Sequence, residues 1–247
     1  MISRNLQTKI GDPSRPYVTT VLAMSADGKI SDVHRTAAKF PSVVDKQHLE
    51  QCVAASDATL FGAATLRAYG TTALVKDADL LDRRQSPQPI HIVCSASGEL
   101  DPAMAFFCQP VPRWLLTTVT GARHWQDNQH FDRVWVAPIS AAQSGETTAD
   151  MEGDSFDWSA ILAELKTQNI NQLLVMGGGR LVAALMAHDL VDELWLTICP
   201  VILGGQQAPT PCDGAGFSLN EAPRFTLVSH RSVGDELFLN YQRRREV

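Results

Sequence analysis

Apolar residues in this chain come in short bursts of two kinds, and the two kinds alternate. Tyr17 to Met24 (YVTTVLAM) is rich in β-branched side chains and predicts a buried strand. Shorter strands are predicted at Ala58–Phe61, Ile90–Cys94 (IHIVC), Trp114–Thr117, Val134–Ala137, Leu173–Met176 and Glu193–Cys199. Between them, helical spacing recurs. Leu49, Cys52 and Val53 mark a helix over Asp45–Ala55, with Asp45 at its N-cap. Trp158, Ile161, Leu162 and Leu165 mark a second helix and Leu181–Ala187 a third. Ala63–Ala68 predicts a turn or two of helix, and Asp79–Arg84 a short helix in an otherwise polar loop over 70–88. Residues 139–155 read as a polar loop, and residues 1–15 as a polar tail. Arg224–Arg243 predicts two strands joined at Gly234-Asp235, a hairpin. Strands alternating with helices predict an α/β fold, with a mostly parallel sheet covered on both faces and antiparallel strands at its end. No Pro/Gly-rich linker divides the pattern, so it predicts one domain, residues 16–245.

Composition narrows the function classes. The 247 residues carry 21 Lys plus Arg against 27 Asp plus Glu, a net charge of −6 without a long basic run, which argues against nucleic acid as a partner. No apolar stretch approaches the ~18 residues of a membrane span, and the N-terminus has no apolar signal core. The five Cys are scattered without a CxxC, as expected of reduced thiols in the cytoplasm.

Four segments have the chemistry of a ligand site. Met176-Gly177-Gly178-Gly179-Arg180-Leu181 joins a strand to a helix. Glycines let backbone N–H groups approach an anion, and a helix start adds partial positive charge. Val182 stands where a Rossmann fingerprint has its third glycine, and the Lys-Ser/Thr of a P-loop is missing, so a tight turn without a ligand fits equally well. Ser25-Ala26-Asp27-Gly28-Lys29 follows the first strand, where open α/β sheets bind ligands; a solvated Asp-Gly turn is the plainer reading. Phe61-Gly62-Ala63-Ala64-Thr65 brings small residues and a hydroxyl to another strand end, and Cys199 to Gly205 ends a strand in a Gly-Gly turn. His48-Leu49-Glu50 with Pro211-Cys212 imitates a zinc-deaminase signature, but Ala215 replaces its second Cys, so no metal is expected.

In order along the chain, RPYVTTVLAMSADGKIS, DATLFGAATLRA, PIHIVCS, LLVMGGGRLVAALM and LVDELWLTICPVILGG resemble the reductase domain of riboflavin biosynthesis, within the dihydrofolate-reductase-like family. The resemblance spans about Arg15 to Tyr241, without the deaminase domain that precedes it in bifunctional relatives. It implies a three-layer fold, a homodimer and hydride transfer from NADPH to the ribosyl group of a phosphorylated heterocycle, 5-amino-6-(5-phosphoribosylamino)uracil. By the same resemblance Thr65, Ser95, Gly177, Gly178, Gly179, Arg180 and Leu181 hold the cofactor. Lys29 handles the proton, and Ser25, Asp27 and Met176 meet the substrate. Departures gather on the substrate side, where Met176 replaces a Glu and Val53 an Arg, and Lys39 and Phe40 stand where relatives carry a Trp; on the cofactor side Tyr69 replaces an Asp. A different pterin- or pyrimidine-like substrate, or a non-catalytic NADP-binding module, are the competing readings.

Overall fold

The computed structural model describes residues 11–84, 88–126, 129–139 and 156–245. Among these residues nine strands form one sheet: β1 (Tyr17–Ser25), β2 (Ala58–Gly62), β3 (Ile90–Cys94), β4 (Arg113–Thr117), β5 (Arg133–Val136), β6 (Gln172–Val175), β7 (Glu193–Cys199), β8 (Phe225–Val233) and β9 (Glu236–Arg243). Their spatial order is β5-β4-β3-β2-β6-β1-β7-β9-β8. All pairs from β5 across to β7 are parallel; β9 joins β7 antiparallel, and β8 closes the edge. The predicted α/β architecture with a terminal hairpin is what the chain adopts.

The helices are α1 (Val43–Ala54), α2 (Ala63–Tyr69), α3 (Ala78–Asp82), α4 (Val119–Ala122), α5 (Trp158–Thr167) and α6 (Gly179–Ala187). Side chains alternate across a strand, so the sheet feeds two layers. Leu60, Leu173 and Val175 pack with Trp158, Ile161, Leu162 and Leu185 from α5 and α6. Their neighbours face the other way: Leu174 meets Val53 of α1, and Phe61 meets Leu66 of α2. Most of these side chains are fully buried; at about 1.5–3 kcal/mol each, such burial is the main force holding the three layers together.

Several boundaries move. Ser42, not Asp45, caps α1: its hydroxyl accepts from the backbone N–H of Val44 and Asp45 at 3.1 and 3.2 Å. Apolar periodicity begins at Leu49 and gave no reason to start the helix before the nearest acid. The short α4 and two 3-10 turns, Ala105–Cys108 and Arg123–Trp125, are too brief to carry a period. Arg15 is not tail. It is buried, and its guanidinium grips both oxygens of buried Asp192 at 2.7 Å. Residues 1–10 and the expected loop over 140–155 lie outside the described residues. Among the described residues no helix is long and apolar enough to cross a membrane.

Candidate active site

The chain leaves β1 toward β2 on one side, later inserts β6 between them, and places β7 on the other side. Crossovers diverge there, so a crevice opens at the carboxyl ends of the strands. A cleft of about 380 Å³ occupies that place. Its floor comes from β1 (Val21, Leu22), the ends of β2 and β3 (Gly62, Cys94) and Met176 to Gly178 after β6. Thr65 and Tyr69 of α2, Asp45 and Leu49 of α1, and the loop over 30–41 form its walls, and the start of α6 closes it.

The three glycines do three different things. Gly177 has φ +97°, the left-handed region that suits glycine. A Cβ on Gly178 would meet nothing nearer than Thr65 Oγ1 at 3.5 Å, so this residue faces open space. A Cβ on Gly179 would lie 2.2 Å from the Thr210 carbonyl oxygen and 2.7 Å from Asp213 Oδ2, so Gly179 is required by packing against the 210–213 loop. Gly178 caps α6 without a side-chain hydrogen bond, leaving the helix start to the cleft.

Of the residues the sequence singles out, Thr65, Met176, Gly177, Gly178, Gly179, Arg180 and Leu181 line this cleft together. Ser25, Asp27, Lys29 and Ser95 do not. Ser25 Oγ donates to Asp27 Oδ1 at 2.6 Å and accepts from the Lys29 N–H at 2.8 Å. Asp27 accepts from the backbone N–H of Leu203 and Gly204 at 3.1 and 2.7 Å, and these donors with Ser25 hold its carboxyl down at about 2. The Lys29 ammonium donates to the Ala208 carbonyl at 3.2 Å, one residue before cleft-lining Ile30. Ser95 Oγ accepts from the Gly98 N–H inside its own turn. These four order the loops around the cleft. Val53 is fully buried core, so its missing guanidinium leaves no hole in the wall.

Asp45, Arg35 and Asp213 line the cleft without having been singled out for it, and so does Tyr69, which stands where relatives carry an Asp. Tyr69 reaches across from α2, and its hydroxyl accepts from the Ala38 N–H at 3.1 Å, tying the 30–41 loop to the wall. Asp45 is buried, and burial pushes its carboxyl above the ordinary carboxylate range. The Glu236 carboxylate adds to that push, and a hydrogen bond from Thr197 opposes it. The sequence signal was present as Ser42-Val43-Val44-Asp45, a cap residue with an acid in the first turn.

A mostly parallel sheet covered by helices, with a glycine-flanked cleft at its switch point, defines an α/β protein with a crevice where such folds take ligands. The family model described as the RibD C-terminal domain matches residues 16–239, and the chain belongs to that family. It is 31% identical to the 2,5-diamino-6-ribosylamino-4(3H)-pyrimidinone 5′-phosphate reductase of Archaeoglobus fulgidus, over 82% of this chain and 89% of that protein. It is 27% identical to riboflavin biosynthesis protein RibD of Escherichia coli, over 91% of this chain but 59% of that protein. Its fold is similar to that of a pyrimidine reductase-like protein from Corynebacterium diphtheriae, with a TM-score of 0.75, 20% identity and coverage of 94% and 93% of the two chains.

Proposed function

We propose that this protein is an NADPH-dependent reductase of riboflavin biosynthesis, which converts the ribosyl group of a phosphorylated ribosylaminopyrimidine to ribityl. The observation that carries the reading is the cleft itself: in a chain of this family, it joins an uncapped glycine helix start to a wall with a buried carboxylate. The residues present fit a dinucleotide. The open side of Gly178, the Thr65 hydroxyl and the Arg180 guanidinium suit its diphosphate, and the packed side of Gly179 does not. When bound, NADPH supplies the hydride.

The chain's own groups bind, orient and exclude water. Arg35 and Arg180 are the cationic side chains lining the cleft among the described residues. Arg180 belongs with the cofactor, and Arg35 suits the substrate's 5′-phosphate. Leu22, Leu49 and Met176 give the pocket an apolar lining that holds ring faces and strengthens polar contacts within it. The Tyr69 tie to Ala38 positions the loop that carries Arg35. Lys29 was expected to handle the proton and keeps that part in the proposal: one N–H of its ammonium donates to the Ala208 carbonyl, which holds it one residue before cleft-lining Ile30.

The resemblance points to the uracil form of the substrate, whereas the Archaeoglobus relative is named for the 2,5-diamino form. The test uses both. Purified protein with NADPH and either intermediate is followed at the nicotinamide absorbance, and oxidation coupled to ribityl product is expected. No oxidation with either would overturn the reading. The proposal includes a cytoplasmic location, supported by five scattered cysteines without a CxxC. It also includes a homodimer, supported by apolar Leu227 and Val228 standing exposed on edge strand β8.

A further inference from the structure

The cleft holds a carboxylate that neither the glycine turn nor the helix cap accounts for. Asp45 is the third residue of α1. Ser42 takes the capping role, so the Asp45 side chain is not held by its own helix start. The Thr197 hydroxyl donates to it from β7. Behind it the carboxylate of Glu236 is occupied by the Ser42 N–H, the Ser42 hydroxyl and the Cys199 thiol. A carboxylate has about four acceptor positions. Keeping one buried beside a second carboxylate is unfavourable unless donors reach it. The cleft is the side from which a ligand can supply them, and Asp45 lines it beside Leu49, Val21 and Met176.

The two candidate substrates differ at one ring position. The 2-amino-4-oxo ring presents an exocyclic N–H and a neighbouring ring N–H side by side, two parallel donors spaced to meet the two oxygens of a carboxylate. The uracil ring has a carbonyl oxygen in place of the amino group, and it would face Asp45 as acceptor against acceptor. We propose that Asp45 reads this edge of the pyrimidine, and that the protein therefore selects the 2,5-diaminopyrimidinone phosphate over its deaminated uracil form. The inference rests on the reductase reading above and adds to it the choice of substrate. It also places the reaction before deamination: the deaminating step acts on what this protein releases.

The test is Asp45→Asn, which keeps the shape and exchanges one acceptor for a donor. The amide matches the uracil edge, its N–H₂ to the C2 carbonyl and its oxygen to the ring N–H. Wild-type protein is expected to prefer the diamino substrate in kcat/KM by at least about 10-fold. D45N is expected to move the ratio of the two kcat/KM values toward uracil by roughly 100-fold, with NADPH affinity unchanged. A purely structural Asp45 would lower both substrates together and leave the ratio alone. Turnover of both substrates with a ratio that D45N does not move, or a wild-type preference for uracil, overturns the inference and leaves the reductase reading intact. Turnover of neither by wild type overturns both. If D45N does not fold, wild-type inhibition by 2,5,6-triamino-4-hydroxypyrimidine is compared with that by 5,6-diaminouracil. The triamino ring is expected to compete at least about 10-fold more tightly, and equal inhibition overturns the inference.

Discussion

Gly178 and Gly179 are neighbours of the same type, yet the structure assigns them opposite consequences when each is changed to alanine. In Gly178→Ala the new methyl meets only Thr65 Oγ1 at 3.5 Å, an ordinary contact, and φ −79° with ψ −175° suits any residue. Replacing a glycine at a compatible position stabilises by about 0.4–1 kcal/mol through the unfolded chain, and alanine is a poorer N-cap than glycine by a similar amount, so the melting temperature should stay within roughly 4 °C of wild type. In Gly179→Ala the methyl would lie 2.2 Å from a backbone carbonyl and 2.7 Å from the Asp213 carboxylate. Backbone cannot step aside as a flexible side-chain end can, so about 1–3 kcal/mol of overpacking is expected, and a fall in melting temperature of roughly 2–12 °C. Cofactor binding should divide the other way. The Gly178 methyl enters the space given to the diphosphate and should weaken NADPH by roughly 5- to 100-fold. The assay is differential scanning fluorimetry of wild type and both variants, with NADPH titrated by intrinsic fluorescence or calorimetry. Wild-type affinity in the stable Gly178→Ala protein would refute the cradle. An unchanged melting temperature in Gly179→Ala would refute the packing argument.

Three further outcomes are expected. Arg15→Met should cost about 3 kcal/mol in denaturant unfolding, because it strips a two-oxygen partner from buried Asp192 and leaves Arg245 and the Val18 N–H, among the described residues, on that carboxylate; an unchanged midpoint would show that Arg245 suffices. Asp27, held at about 2 by Ser25 and the Leu203 and Gly204 amides, favours the folded state above the ordinary carboxylate pKa near ~4 and loses that contribution as pH falls toward 2. Asp27→Asn should therefore flatten the acid side of the stability profile in that window, and a parallel profile would count against the Asp27 tether. His91 is buried with Nδ1 2.9 Å from the hydroxyls of Thr59 and Thr72, and burial pushes its pKa down to about 3. Its ring resonances should stay fixed from pH 8 to about 4.5, and a midpoint near the ordinary ~6.5 would contradict the burial.

Much of the site was legible before any tertiary contact. The run from Met176 to Leu181 announced a strand-to-helix turn by composition alone, and all six of its residues do line the cleft. Thr65 was found in the same way, as a hydroxyl among small residues after a buried strand. Ser25, Asp27, Lys29 and Ser95 sit at strand ends as the sequence suggested, and each hydrogen-bonds a neighbouring turn or loop outside the cleft lining. Strand-end position is a local property, whereas the direction of a side chain depends on what the next loop offers it. Asp45 shows the converse. An acid near a helix start reads as a cap, and only the Ser42 hydroxyl, bound also to Glu236 nearly two hundred residues away, releases it to the cleft.

Local chemistry in the sequence was enough to fix the kind of each element, the alternation of strand and helix, the closing hairpin and the glycine turn. Period and turn residues act over a few positions and need no distant partner. Tertiary structure alone decided the insertion of β6 between β2 and β1, which opens the cleft. It also decided that Gly179 faces the Thr210 carbonyl while Gly178 faces open space, and that a carboxylate from α1 joins the pocket. Those outcomes depend on contacts between segments far apart in the chain, whose pairing is set by packing of the whole sheet and leaves no mark on the spacing of residues along any one segment.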